Sequence, residues 1–413
     1  MKKRTLPFSA ALKSTAPIAF STMVKPIGGK CNLRCSYCYY LDKELQYDSP
    51  VKPMSEELLE EYIRQYLEGN DVPQVTFCWH GGEPLMAGIE FYKKALEFQE
   101  KYANGKKIEN TLQTNATLIN REWAEFFAKN NFLLGVSIDG PKDIHDANRL
   151  TANNEPTFDK VMKAIYLLQE CGAEFNTLSA ISSASAGRGV ETYKFLKSIG
   201  SNFMQFLPVV EHTKSDENYK RDVICSPDDA DAQIFPFSIG SKDWGRFLVD
   251  IYDEWIKADV GVYFVQMFDA TLANWCGIRA GVCAMNETCG DALVVEHDGS
   301  VYSCDHFVYP EFKLGNIKQT ELRTLYKSRS QFVFGAAKTS SLHQKCNNCA
   351  WVHLCHGECP KHRFNQNENY LCAGLQHFFR HTAPSMQYMR DCLNQGHPAS
   401  LVMKAVAQGT VQL

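Results

Sequence analysis

The sequence has no uninterrupted apolar run approaching the roughly 18 residues that a membrane-crossing helix needs. Its apolar stretches are strand-length pieces such as Phe132–Ile138, so a soluble protein with no membrane partner is expected. No secretory signal is expected either, because Lys13 interrupts the apolar residues near the N-terminus before they reach signal-peptide length. Neither charge is in excess. Lys and Arg number 43 against 47 Asp and Glu, a net charge of −4, which leaves no overall basic field to hold nucleic acid or anionic lipid. There is no internal repeat and no low-complexity tract, and 45% hydrophobic with 22% charged residues excludes a disordered or collagen-like chain. At about 100–200 residues per domain the chain has room for two or three domains.

What the sequence does have is cysteine, 16 in all. With no secretory signal the expected compartment is the cytoplasm, where such a count points to metal ligation or redox chemistry rather than disulfides.

Six strand-like runs, Ala19–Val24, Gln74–Trp79, Ile108–Gln113, Leu133–Ile138, Phe175–Ile181 and Phe203–Pro208, alternate with amphipathic helix patterns. One helix begins behind Ser55 with Leu59, Tyr62, Ile63 and Tyr66 on one stripe, and another carries Val161, Ile165 and Leu168. Six βα units are too few for an eight-fold barrel. The expected fold class is α/β, a partial, open (βα)6 TIM-like barrel over residues 18–240 with its chemistry at the C-terminal strand ends. The sequence turns polar and irregular from Glu211 to Trp244, and a bridging segment is placed at 241–270. A cysteine-rich domain is expected over 271–375, with a hairpin of Ala292–Glu296 and Val301–Cys304. Residues 376–413 are expected to form a helix starting near Pro384 and a loosely ordered tail after Pro398.

Just after the first strand come Cys31, Cys35 and Cys38, three thiols in a CxxxCxxC loop. Structural zinc closes with four ligands and no nearby His or Cys completes this set, whereas a four-iron cluster held by three cysteines keeps one iron open. Three unconnected thiols, or a zinc loop with a distant fourth ligand, are the structural alternatives. The loop resembles the signature of the radical S-adenosylmethionine (SAM) superfamily, in which the open iron binds SAM and the cluster cleaves it to a 5′-deoxyadenosyl radical. The resemblance continues through Gly81-Gly82-Glu83-Pro84 after the second strand, Thr114-Asn115 after the third, Ser137-Ile138-Asp139-Gly140 after the fourth, and Arg149. Glycine at such a turn permits close approach of main chain to a ligand.

Eight more cysteines follow as Cys283-x5-Cys289-x14-Cys304, then Cys346-x2-Cys349-x5-Cys355-x3-Cys359, then Cys372. Eight is two complete sets of four, which suits two fully ligated four-iron clusters; one or two structural zincs are the alternative. The spacing resembles the SPASM extension of radical SAM enzymes that modify peptides and proteins. That resemblance implies a crossed assignment, with Cys283, Cys289, Cys304 and Cys359 on a first auxiliary cluster and Cys346, Cys349, Cys355 and Cys372 on a second. Of the remaining cysteines, Cys78, Cys171 and Cys392 read as small buried hydrophobes. Cys225 falls in a polar loop, and Cys276 lies seven residues before the first ligand.

Directly after Cys304 stands Asp305. If a radical takes hydrogen from the β-carbon of a Ser or Cys, the hydroxyl or thiol must lose a proton while an electron leaves, and a base adjoining an electron acceptor meets both needs. A thiolate-ringed cluster beside it is expected to make the carboxylate a stronger base. With this Cys-Asp pair, the chain from about residue 18 to 375 resembles the anaerobic sulfatase-maturating enzymes. The resemblance implies three [4Fe-4S] clusters and SAM, and oxidation of Ser or Cys in a sulfatase C/S-x-P-x-R segment to Cα-formylglycine. Asp305 is then the proton acceptor, and Tyr37, Gly82, Ser137, Arg149 and Leu207 contact SAM. Tyr40, Trp79 and His80 line the substrate pocket, although His80 stands where some relatives have Gln. The implied partners are an unfolded or nascent sulfatase chain and a flavodoxin- or ferredoxin-like electron donor. Two other readings stay open. One is a radical SAM/SPASM maturase that cross-links a ribosomal peptide, which commonly carries a recognition domain ahead of the barrel, where thirty residues precede Cys31 here. The other is a non-catalytic metal-binding or electron-transfer protein.

Overall fold

Period-two alternation builds the central sheet. In β2 (Gln74–Trp79) the side chains of Val75, Phe77 and Trp79 are buried under helices, while Thr76 and Cys78 between them face the other way and are half-buried. The computed structural model describes residues 17–42, 51–216, 221–226, 229, 231–364 and 367–412. Besides β2, the six parallel strands are β1 (Ser21–Val24), β3 (Lys107–Thr114), β4 (Phe132–Ser137), β5 (Phe175–Ile181) and β6 (Phe203–Pro208), laid side by side in sequence order. Between them run α1 (Glu56–Gly69), α2 (Ile89–Tyr102), α3 (Arg121–Lys129), α4 (Phe158–Cys171) and α5 (Gly189–Ser198). The expected strands and helices are thus present, with ends moved by a residue or two. The α1 N-terminus is capped as expected, Ser55 Oγ accepting from the Leu58 amide at 3.3 Å. Leu58, Leu59, Tyr62, Ile63 and Tyr66 of α1 are all buried. Side chains of this kind contribute about 1.5–3 kcal/mol each on full burial, which holds a 14-residue helix that would be marginal alone.

The barrel is open. The described part of the polar stretch after β6 forms a small antiparallel sheet of β7 (His212–Asp216), β8 (Arg221–Ile224) and β9 (Gln233–Ile234), in place of the irregular segment expected. It precedes α6 (Ser241–Ala258). At one edge β6 pairs with β10 (Phe264–Val265), which leads into α7 (Gln266–Trp275). At the other edge β1 pairs in parallel with β11 (Ala292–Val295), Ser21 opposite Ala292 and Val24 opposite Val295. The expected hairpin continues the same sheet through β12 (Ser300–Tyr302) and β13 (Lys313–Asn316). Hydrogen bonding therefore runs straight from the barrel into the cysteine-rich region and sets the end of β11 beside the end of β1.

The C-terminal helix differs from expectation. It is α8 (Cys372–Asn394), beginning twelve residues before Pro384 and passing through it, and a further helix, Leu401–Ala407, occupies the tail expected to be loose. Proline inside a helix costs about 3 kcal/mol. Here burial of Leu375, Phe378, Phe379, Met386 and Met389 along one face offsets that cost. A Cβ on Gly374 would meet the Ser241 carbonyl at 1.9 Å and one on Gly245 would meet the Gly374 carbonyl at 2.5 Å. The bare glycines let α8 and α6 cross at contact distance. Among the described residues no helix is long and apolar enough to cross a membrane.

Candidate active site

The CxxxCxxC loop leaves β1 and leans over the ends of β5 and β6, where Leu33, Cys35, Tyr37 and Val209 form a small apolar cluster touched by Cys31, Cys38 and Ala180. Gly82 is pressed onto that loop. Its amide donates to the Gly28 carbonyl at 3.0 Å, the Glu83 amide donates to the Lys30 carbonyl at 2.9 Å, and a Cβ on Gly82 would sit 2.0 Å from the Lys30 oxygen. The bare Cα is thus required first by the cysteine loop itself. Glu83 is buried and accepts from Thr114 Oγ1 and the Asn115 amide, both at 2.8 Å; burial pushes its carboxyl up to about 7. Asn115 Nδ2 in turn donates to Asn32 Oδ1 at 2.9 Å and lies 3.6 Å from Cys31 Sγ. Loops after three strands are tied into one frame.

On the far side of the loop Asp139 joins two of the expected SAM residues. Tyr37 donates to its Oδ2 at 2.5 Å and Arg149 Nε to its Oδ1 at 3.0 Å, with the guanidinium 5.6 Å from the Tyr37 ring centre. Ser137 ends β4 and accepts from Gln113 Nε2 at 3.0 Å. Leu207 is 41% exposed near the end of β6, paired with Ala180 of β5. Tyr37, Gly82, Ser137, Arg149 and Leu207 therefore lie around one end of the sheet.

The three thiols of the loop are neighbours. Burial, followed by the Glu83 carboxylate, pushes Cys31 up to about 12, and burial raises Cys35 and Cys38 as well, with the adjacent cysteines adding to it at Cys38. Such thiols ionise only for a partner that brings its own positive charge. The eight later cysteines fall into two groups. Cys283, Cys289, Cys304 and Cys359 are within electrostatic reach of one another, and Cys346, Cys349, Cys355 and Cys372 line one pocket walled by Trp351, Leu375 and Phe379. Among the described residues no three His, Cys, Asp or Glu side chains converge as around a single metal ion. Donor sets of three, four and four thiols fit clusters, which spread their ligands around a larger body.

Asp305 lies where barrel and cysteine-rich region meet. Its Oδ1 is 2.6 Å from Lys25 Nζ, and its Oδ2 accepts from Tyr40 at 2.6 Å and from Tyr39. Lys25 is fully buried, bonds Glu296 at 2.9 Å and sits 4.7 Å from the Tyr40 ring centre. Burial alone would discharge this lysine; Asp305 and Glu296 raise its pKa instead. The carboxylate expected beside a thiolate-ringed cluster thus also has a buried cation in contact with it. Tyr40 reaches His80 Nδ1 at 3.2 Å, and burial lowers the His80 pKa.

Trp79 does not line this pocket. It is fully buried between sheet and helices, edge-on to Tyr62, Phe91 and Tyr92, with Nε1 donating to Asn110 Oδ1 at 2.8 Å. The reason is parity: adjacent strand residues point to opposite faces, so His80 and Trp79 cannot share one. The alternation of Val75, Phe77 and Trp79 with Thr76 and Cys78 carried that signal. Cys78, read as a core hydrophobe, is on the inner face near Asp305. Cys225 lies just after β8, buried, with its amide donating to the His212 carbonyl at 2.9 Å. Cys276 has Arg390 as its charged neighbour rather than another cysteine. Lys25, Tyr39, Asp139 and Glu296 were missed. Asp139 stood inside the SIDG motif, whereas a lone lysine and glutamate at strand ends carry no sequence signal.

Comparison with known proteins agrees with this geometry. A radical SAM superfamily model matches residues 26–181, and a model of an iron–sulfur cluster-binding domain, SPASM, matches residues 283–350. The serine-type anaerobic sulfatase-maturating enzyme of Bacteroides thetaiotaomicron is 45% identical over 399 residues, 95% of this chain and 96% of that protein. The chain belongs to the anaerobic sulfatase-maturating enzymes of the radical SAM superfamily. The cysteine-type sulfatase-maturating enzyme of Clostridium novyi is 34% identical over 91% of this chain and 98% of its own. The solved structure of native anSMEcpe with bound AdoMet and Cp18Cys peptide superposes with TM-score 0.80 at 32% identity, covering 91% of this chain and 99% of that one. Streptococcus suis SuiB, at TM-score 0.58 and 16% identity, shares the fold. As a sulfatase-maturating enzyme the chain is a radical SAM oxidoreductase with an iron–sulfur cluster-binding domain.

Proposed function

We propose that the enzyme oxidises the Ser or Cys side chain of a C/S-x-P-x-R segment, in an unfolded or nascent sulfatase in the cytoplasm, to Cα-formylglycine. The observation that carries this reading is Asp305, adjacent in sequence to Cys304 of the first auxiliary set and oriented by Lys25, Tyr39 and Tyr40. In this reading residues 18–240 form the barrel that holds SAM and residues 271–375 the auxiliary cluster domain. Cys31, Cys35 and Cys38 hold one [4Fe-4S] cluster; Cys283, Cys289, Cys304 and Cys359 hold a second; Cys346, Cys349, Cys355 and Cys372 hold a third. When bound, these groups supply a 5′-deoxyadenosyl radical that takes a hydrogen atom from the side-chain β-carbon, and an acceptor for the electron that follows. Tyr37 and Arg149, held by Asp139, frame SAM together with Gly82, Ser137 and Leu207. Tyr40 and His80 face the substrate. Asp305 Oδ1 or Oδ2 takes the hydroxyl or thiol proton as a carbonyl forms from Ser, or from Cys a thiocarbonyl that water then hydrolyses to the aldehyde with loss of hydrogen sulfide, and Lys25, Tyr39 and Tyr40 hold the carboxylate in place. A flavodoxin- or ferredoxin-like protein supplies the reducing electron.

Anaerobically reconstituted enzyme, SAM, a reductant and two peptides differing only in Ser against Cys test the proposal. Formylglycine aldehyde should appear by mass spectrometry. Asp305→Asn should slow it by at least about 100-fold, the lower range for loss of a general base, while 5′-deoxyadenosine still forms. An Asn variant that makes aldehyde at the wild-type rate removes Asp305 from the mechanism.

A further inference from the structure

Two buried cations lie against the auxiliary cysteines and take no part in the proton transfer. Lys338, 0% exposed, donates at 2.7 Å to the backbone carbonyls of Cys283 and Ala284. Arg363, 4% exposed, donates to the carbonyls of Lys338 at 2.9 Å and Gly357 at 3.2 Å. Arg363 lies between the sets, within electrostatic reach of Cys289 and Cys359 of the first and Cys346 of the second; Lys338 is near Cys283, Cys289 and Cys359, all of the first. Among the described residues neither cation is ion-paired with a carboxylate. The one buried carboxylate within electrostatic reach of both is Glu358; two buried cations against one carboxylate leave positive charge that is costly to bury alone and that four thiolates around a cluster would balance.

The other charges nearby do not cancel this bias. Glu358, buried by the first set and hydrogen-bonded by His362 at 2.7 Å and Asn369 at 2.8 Å, offsets one of the two cations and leaves the other. At the second set Lys345 is exposed and paired with Glu368 at 2.7 Å, where solvent screens it. The first set thus has two buried cations and the second shares one of them.

We propose that Lys338 and Arg363 are potential-setting residues that hold the first auxiliary cluster at a higher reduction potential than the second, so that the electron leaving the substrate comes to rest beside Asp305. This rests on the reading that the eight cysteines hold two four-iron clusters. The balance is that of one oxidation step. After hydrogen abstraction the β-carbon radical gives one electron to the oxidised cluster, the hydroxyl or thiol gives its proton to Asp305, and a carbon–oxygen or carbon–sulfur double bond forms. The cluster becomes one unit more negative, and a fixed cation in a low-dielectric site stabilises that state more than the oxidised one. Arginine does so at every accessible pH.

The test is an EPR-monitored redox titration of the reconstituted full chain carrying Cys31→Ala, Cys35→Ala and Cys38→Ala, so that only the auxiliary clusters report. Iron and labile sulfide sufficient for two clusters are required first; their absence refutes the eight-cysteine reading and this inference with it. With both clusters present, Arg363→Gln should lower the higher of the two potentials by at least a tenfold change in the reduction equilibrium, about 59 mV for one electron. Arg363→Lys, which keeps the charge, should shift it far less. Lys338→Gln should move the higher potential and leave the lower in place; it carries the test if Arg363→Gln fails to load. Clusters present with unmoved potentials, or equal shifts for Gln and Lys at position 363, overturn the proposal while leaving the assigned reaction standing.

Discussion

Lys25 is the residue through which barrel and auxiliary region hold each other's charge, and Lys25→Met isolates that role. Methionine keeps the length of the chain and removes only the ammonium, leaving Glu296 and Asp305 with no cation between them. Burial would push the Glu296 carboxyl up, yet Lys25 and the His297 contact hold it below its usual value, so most of the present balance is lost in one step. Removing one partner of a buried ion pair costs about 3–5 kcal/mol, a large share of the roughly 5–15 kcal/mol that holds a typical protein folded. With an unfolding entropy of about 2.1 cal/mol/K per residue, this corresponds for 413 residues to a Tm lower by about 3–6 °C. Thermal unfolding of the anaerobic enzyme, followed by circular dichroism, measures it. Neutralising both carboxylates as well, in Lys25→Met/Glu296→Gln/Asp305→Asn, should recover most of the loss, because no buried charge is left unpaired. A Lys25→Met protein as stable as wild type, or a triple variant no better than the single one, refutes the reasoning.

Gly82→Ala should strip the first cluster selectively. Its methyl group would overlap the Lys30 and Gly29 carbonyls at 2.0 and 2.5 Å, so the cysteine loop must shift, at a cost of about 1–3 kcal/mol. Iron analysis should find one cluster's share missing and the auxiliary share retained; full iron content contradicts this packing. His145 predicts acid sensitivity. Its Nδ1 accepts from the Asp139 amide at 3.4 Å and Nε2 meets Thr157 Oγ1 at 3.1 Å, and burial lowers it to about 4. The unfolded chain therefore binds the extra proton between about pH 6.5 and 4, and stability present above 6.5 is lost as pH falls through that window, by at most about 3 kcal/mol. Denaturant midpoints at pH 7.5 and 5 should differ less in His145→Gln than in wild type; equal differences exclude His145 as the source.

Chemistry was legible wherever it was written in contiguous residues. The three-cysteine loop, the glycine turn after β2 and the Cys-Asp pair could be read from spacing, and the strands from alternation. The pairing of Cys359 with Cys283, Cys289 and Cys304 came from resemblance alone, since no spacing rule distinguishes it from Cys355. Trp79 was misplaced because motif proximity to His80 outweighed the parity that separates them. Pro384 misled as a helix start because the buried stripe of α8 outweighs its missing donor.

Resemblance supplied the reaction class and the grouping of the later thiols; by itself, the sequence determined the open parallel sheet and the number and spacing of the thiols. These depend on local periodicity and short spacings, which a chain carries wherever it folds. Only the tertiary structure decided that Lys25 pairs with Asp305 and Glu296, that Asp139 joins Tyr37 to Arg149, and that Lys338 and Arg363 stand on the auxiliary cysteines. The charge contacts of Lys25 and Lys338 join residues far apart in sequence. Their strength depends on burial, which removes the water that would otherwise screen each charge, and burial exists only once β11 has paired with β1.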